Sequence, residues 1–132
     1  MNSRRKWLRL IGLLPVWPLS ASAATLAKTA KATEGPFYPE SSMRTADVDN
    51  DLVKIDQSVK DANGEIVYLT GTVTDTASEP LSDLRIEIWQ CDVNGRYLHT
   101  GDRNQAERDA GFQGFGHAYT DQSGHYLSLI HI

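Results

Sequence analysis

The chain has 132 residues, enough for one domain. Four of its 13 basic residues lie in the first nine positions and no acidic residue precedes Glu34, so the formal charge of −4 becomes 9 basic against 17 acidic residues, or −8, from residue 24 onward. Such an acidic domain is not made to attract nucleic acid or anionic lipid, and a single cysteine, Cys91, excludes an internal disulfide framework.

Residues 1–23 read as an export signal. Ser3-Arg4-Arg5-Lys6-Trp7-Leu8-Arg9 is a basic opening with an arginine pair, Leu10–Leu19 is apolar but broken by Pro15 and Pro18, and Ala21-Ser22-Ala23 offers small residues where a signal peptidase reads. About ten apolar residues cannot cross a ~30 Å hydrocarbon core, so the mature form is expected to have no membrane span. The arginine frame resembles a twin-arginine signal, which places the mature protein in the periplasm or outside the cell. Residues 24–60 follow as an alanine-rich linker and then an extended arm with Gly35, Pro36, Pro39 and little periodicity. Within the arm, Asp47-Val48-Asp49-Asn50-Asp51 has the acidic spacing of a calcium loop. Leu52 stands where that loop needs glycine, so calcium is not expected.

From Asp61 the pattern is that of strands. Asp61-Ala62-Asn63-Gly64 is a turn, after which Val67, Leu69, Gly71 and Val73 alternate with Tyr68, Thr70, Thr72 and Thr74. Leu84, Ile86 and Ile88 alternate with Arg85, Glu87 and Trp89 in a second strand, and Asp92-Val93-Asn94-Gly95 turns it. A polar loop spans Gly101 to Ala110. Strands at His117–Thr120 and His125–Leu129 flank Asp121-Gln122-Ser123-Gly124. The thrice-repeated Asp-x-(Asn or Ser)-Gly is hairpin chemistry, because Asp and Asn bond their own backbone and Gly accepts positive φ. The expected fold class is all-β, an antiparallel β-sandwich over residues 61–126, truncated and preceded by the arm. Leu127-Ser128-Leu129-Ile130-His131-Ile132 ends in mid-strand and matches, letter for letter, a translated sequencing-library adapter. Residues 127–132 are therefore read as a tail foreign to the domain, and no function is placed on His131.

By residue type alone, the candidate chemistry is thin. Gly71-x-Val73-x-Asp75, Pro80-Leu81 and Leu84-x-Ile86-x-Ile88 form a generic signature of small β-sandwiches and suit a secreted non-catalytic binding module as well as an enzyme. Tyr97, just past a strand end, has the character of an amphipathic packing residue. His99, two residues on, shares its face if the strand continues; His117 and His125 read as surface or turn residues, and Cys91 as a small buried apolar one.

Three motifs change the weighting. Thr33-Glu34-Gly35-Pro36-Phe37-Tyr38, Trp89-Gln90-Cys91-Asp92-x-x-Gly95-x-Tyr97-x-His99 and Phe112-Gln113-Gly114-Phe115-Gly116 occur in one order with compatible spacing. Together they resemble the intradiol ring-cleavage dioxygenases, the family of protocatechuate 3,4-dioxygenases and catechol 1,2-dioxygenases, over residues 33–126. The resemblance implies a non-haem ferric ion, Fe(III), held by two tyrosinates, two histidines and a hydroxide. It makes Tyr97 a metal ligand and catalytic residue, the tyrosinate that stays bound. It makes Thr33, Gly35, Pro36 and Phe37 the arm that lines the substrate pocket, with Gly35 permitting close approach, and places Gln113, Gly114 and Gly116 in a loop near that pocket. The implied partners are a small aromatic diol and dioxygen, with homo-oligomerisation left open. The ring would open between its hydroxylated carbons to a muconate-type diacid. The second tyrosine and a His-x-His pair would follow Tyr126, so the 132 residues are expected to be an N-terminal fragment that does not turn over a catechol alone. A degenerate member that binds aromatics without turnover is the remaining reading.

The arginine pair yields the first prediction. A native-context fusion should be trimmed to a new N-terminus within a residue or two of Ala24, and replacing Arg4 and Arg5 together by Lys should block export. N-terminal sequencing and cell fractionation check both, and undiminished periplasmic accumulation of the double variant would rule out the twin-arginine route.

Overall fold

Two antiparallel strand pairs carry the regular structure of the computed structural model, which describes residues 25–56, 58 and 60–132; the export-signal reading of residues 1–23 lies outside the described residues. β1 (Ile66–Thr72) pairs with β4 (His125–His131), Ile66 opposite His131 and Thr72 opposite His125. β2 (Arg85–Trp89) pairs with β3 (Phe115–Tyr119), Arg85 opposite Tyr119 and Trp89 opposite Phe115. The fold is all-β with antiparallel sheets, as the alternation implies. In β1 the residues Val67, Leu69 and Gly71 turn inward while Ile66, Tyr68, Thr70 and Thr72 face solvent. Among the described residues no helix is long and apolar enough to cross a membrane.

The hairpin expectation is corrected. None of the three Asp-x-(Asn or Ser)-Gly turns joins two strands that pair with each other. Asp121–Gly124 is a corner where the chain passes from the β2–β3 sheet to the β1–β4 sheet. Gly124 has φ 73°, its N–H donates to the Asp121 carbonyl at 2.9 Å, and a Cβ there would run into the Val73 carbonyl. The turn residues fix the local reversal, but edge contacts decide which strand lies alongside.

The arm is part of the core. Leu52, fully buried, and Val53, 5% exposed, form with Phe112 the apolar cluster against which Ala62, Ile88, Leu129 and Ile130 pack. The segment 49–53 runs between the sheets. On one side the His117 N–H donates to the Asp49 carbonyl (2.8 Å) and the Gln113 N–H to the Leu52 carbonyl (2.9 Å). On the other the Leu129 N–H donates to the Asn50 carbonyl (2.8 Å) and the Leu52 N–H to the Leu129 carbonyl (3.0 Å). Gly116 makes the passage available, since a Cβ on it would collide with the Asp49 carbonyl and the Leu52 side chain. The acidic run spends its carboxylates on the backbone: Asp47, Asp49 and Asp51 accept the N–H groups of Asp56, Asp51 and Val53. Residues 127–131 complete β4, with Ser128 and His131 buried and the His131 ring stacked on Phe112 at 3.8 Å.

The position of Leu52 is testable. Leu52→Ala should cost about 2–5 kcal/mol of unfolding free energy, read by chemical denaturation of the full-length protein. A residue on a surface brace would change it by less than about 0.5 kcal/mol.

Candidate functional site

The chain leaving β2 is organised by one buried carboxylate. Asp92 Oδ1 accepts the N–H groups of Asn94 (2.9 Å) and Arg96 (3.0 Å), and Oδ2 accepts that of Asp109 (2.7 Å). Gly95, at φ 75°, closes the turn with its N–H on the Asp92 carbonyl at 2.8 Å. The chain then emerges as an irregular segment, and Tyr97 sits there, outside any strand. Its main-chain N–H donates to Asp102 Oδ2 at 2.6 Å, while Asp102 Oδ1 accepts the Asn104 N–H at 2.9 Å. These two backbone bonds, Asn104's foremost, hold the Asp102 carboxyl below its ordinary range. Arg96 Nη1 donates to the Ala106 carbonyl at 2.6 Å. On the opposite side Gly114 lies so close to Leu98 that a Cβ on it would stand 2.9 Å from the Leu98 Cβ.

The loop below is pinned in the same way. Burial pushes the Asp109 carboxyl up. The N–H groups of Asn63 and Gly111, the Asn63 side chain and the nearby His131 outweigh it, so the group rests below its ordinary range. Arg108 is drawn down from its usual value by burial, against the nearby Asp92 carboxylate, and its Nη2 donates to the carbonyls of Phe112 and Gln113.

The arm motif meets this segment ring to ring. Phe37 stacks on Tyr97 with centroids 4.7 Å apart and planes at 26°, and His99 meets Phe37 edge-on at 5.9 Å. Thr33, Gly35 and Pro36 are exposed. Gly35 has φ 80° and nothing within 4 Å of an added Cβ, so the backbone's handedness and not close approach calls for glycine there. Beside Tyr97 opens a cleft of about 360 Å³ lined by Met43, Arg96, Tyr97, Leu98, His99 and Arg108, among others. His99 Nδ1 accepts the Gly101 N–H at 2.9 Å, which turns the ring toward its own loop.

The remaining candidates are elsewhere. Gln113 is fully buried beneath the arm, its Nε2 donating to Asp49 Oδ1 and the Lys54 carbonyl, while its buried Oε1 has no partner among the described residues. Gly116 lies in β3 under the same segment. His117 meets Tyr119 edge-on at 5.3 Å, His125 begins β4 exposed, and Cys91 is a half-buried free thiol. Asp92 and Asp102 carry the geometry around Tyr97; the sequence marked Asp92 as a turn former, which its bonds to Asn94 and Arg96 bear out, and gave Asp102 no role. Their signal was an Asp at each end of a loop that brackets the tyrosine.

Tyr97 offers one hard oxygen donor at the cleft, the donor type a ferric ion takes. Among the described residues no three His, Cys, Asp or Glu side chains gather where they could hold a metal ion. The residues present therefore fit part of an iron coordination sphere.

The family model described as dioxygenase matches residues 33–130. The chain is 37% identical over 84 residues to the protocatechuate 3,4-dioxygenase beta chain of Burkholderia cepacia, covering 62% of this chain and 35% of that protein. It is 31% identical over 117 residues to the hydroxyquinol 1,2-dioxygenase of Corynebacterium glutamicum, covering 82% and 34%. It is 32% identical over 77 residues to a catechol 1,2-dioxygenase of a Pseudomonas strain, covering 58% and 24%. The chain thus spans about a third or less of the length of these relatives.

The two depressed carboxyls set a pH dependence. A carboxylate whose folded pKa lies below its ordinary 3.8 stabilises the fold above that pH and loses the contribution as pH falls through the lower folded value. Acid should therefore loosen the loop 101–111, and Asp109→Asn should flatten the fall in stability below pH 4. Denaturation curves across pH 2–6 check it; an unchanged slope would show that Asp109 does not carry the effect.

Proposed function

The chain belongs to the intradiol ring-cleavage dioxygenase family, and on that premise we propose that it supplies the substrate-side arm and one iron-binding tyrosine of an exported, non-haem ferric dioxygenase. The enzyme acts on a catecholic aromatic and dioxygen, and opens the ring between the hydroxylated carbons to a muconate-type diacid. One observation carries this reading. Two of the family-like motifs, 60 residues apart in sequence, converge so that Phe37 of one covers Tyr97 of the other.

Ferric iron, when bound, supplies the Lewis acidity that makes a catechol dianion accessible near neutral pH. Tyr97 gives the phenolate oxygen that favours the ferric state. Asp92 and Asp102 fix the backbone from which that oxygen is presented, and Phe37 shields one face of the ring from water. The other ligands come from chain beyond these 132 residues, in keeping with the third of each relative's length that is matched. The 132 residues alone are inactive in this reading, because one phenolate cannot retain the ion against water and hydroxide. The non-catalytic β-sandwich reading has no observation of its own to favour it.

The experiment is Tyr97→Phe in the full-length protein. The tyrosinate-to-iron charge-transfer band should weaken or shift and ring cleavage should fall by orders of magnitude, while the fold survives the loss of one hydroxyl. Tyr68→Phe and Tyr119→Phe, at side chains 67% and 58% exposed, should change neither. Product analysis should find the diacid and not the semialdehyde of cleavage beside the diol. An unchanged spectrum and rate in Tyr97→Phe would remove Tyr97 from the site.

A further inference from the structure

The backbone of Tyr97 is held by Asp102, but that bond leaves the side-chain torsions free. Among the described residues the Tyr97 hydroxyl has no hydrogen-bond partner and the ring's one aromatic neighbour is Phe37. What aims the phenol is therefore the stack. Phe37, in turn, does not hang from a loose arm. The next residue, Tyr38, donates its hydroxyl to Glu87 Oε2 at 2.6 Å on β2, and its ring meets Trp89 and Phe115 edge-on at 4.9 and 5.9 Å. The bond to Glu87 foremost, and burial after it, push the Tyr38 phenol above the usual tyrosine range, so the hydroxyl stays a donor. Arg44 closes the far end. Its Nε and Nη2 both donate to the Pro39 carbonyl, and its guanidinium lies 3.8 Å from the Phe115 ring centroid and 5.2 Å from that of Tyr38. Residues 38–44 thus form a loop clamped onto the β2–β3 sheet, with Phe37 one residue from the clamp.

We infer that Phe37 is a positioning residue for Tyr97, delivered by the Tyr38–Glu87–Arg44 clamp, and that the arm acts by aiming the metal-ligand tyrosine as well as by walling the substrate pocket. The consequence for catalysis rests on the function proposed above; the contact itself does not. A wall of the pocket would act on substrate affinity. A residue that fixes a ligand acts on the rate after binding, because small misplacements of a reacting group are costly.

The test uses the full-length protein with ring-13C-labelled tyrosine, first without iron. The Tyr97 ring signals, assigned by their loss in Tyr97→Phe, should lie upfield under the Phe37 ring current. Phe37→Leu should abolish that shift, Tyr38→Phe should reduce it by releasing Glu87, and Phe37→Tyr should retain it because the ring is kept. In the iron-loaded protein, Phe37→Leu should lower kcat by about ten- to a hundredfold with little change in KM and broaden the charge-transfer band; Phe37→Tyr should restore both. A raised KM with unchanged kcat and unmoved Tyr97 signals would overturn the positioning role. If the iron-free shift behaves as expected but no variant, nor the parent, binds iron, the proposed function fails while the aiming contact stands. Should Phe37→Leu fail to fold, the Tyr38→Phe and Phe37→Tyr spectra decide alone: equal Tyr97 signals in both would overturn the inference.

Discussion

Five residues, Asp49–Val53, hold the two strand pairs in one structure. The β1–β4 and β2–β3 sheets share no ladder, and the strap between them bonds to His117 and Gln113 on one side and to Leu129 on the other. It also contributes Leu52 and Val53 to the apolar core. Because buried backbone groups must be partnered, a strap so placed has one register. Gly116 admits it by lacking a Cβ, and the buried Gln113 amide bonds to Asp49 at its start and to Lys54 just past its end. The arm that precedes it is held by its own contacts, Tyr38 to Glu87 and Arg44 over Phe115, on the same β2–β3 sheet. The core and the candidate site are therefore joined through one sheet, since β3 receives the strap at Gly116 and His117 and the arm at Phe115.

The alternation in β1 and β2 made both strands legible, because a half-buried sheet writes period two into the sequence. Pairing was not legible. Asp121–Gly124 has the composition of a hairpin turn, and its local bonds are those of one, yet it links strands in different sheets; composition encodes the reversal, while the partner is set by contacts tens of residues away. The strap was missed for a related reason. Leu52 and Val53 are two apolar residues beside an acidic run, too few to show periodicity, and their burial comes entirely from what folds over them.

At the site, residue type alone made Tyr97 a packing tyrosine, and the stack on Phe37 agrees with that; the family resemblance supplied the metal. Both descriptions fit one side chain, since a phenol can pack by its faces and ligate by its oxygen. Asp102 was marked by no more than its place at the far end of the loop that holds Tyr97. An aspartate in a polar loop ordinarily faces solvent, and its bond to the Tyr97 N–H exists only once residues 97–102 have closed on themselves. Thr33, Gly35 and Pro36 entered as a motif and stand exposed, so their position here follows from the backbone of the arm, with Gly35 chosen for its positive φ.

The acidic composition then acquires a local meaning. Asp92, Asp102, Asp109 and Asp121 each accept two or more N–H bonds, most of them from the backbone of turns. A carboxylate that satisfies several N–H groups replaces the ladder an irregular segment lacks, and it does so without adding bulk. That matters for a side chain placed, like that of Tyr97, on a loop and not on a strand. A site on irregular backbone is only as well defined as its supporting bonds, and here the support comes from two directions: carboxylates fix the main chain of residues 92–109 from below, and an aromatic ring on a clamped arm fixes the Tyr97 side chain from above. A tyrosine held this way is ordered by folding itself, so the cost of fixing its ring is met before anything binds to its oxygen.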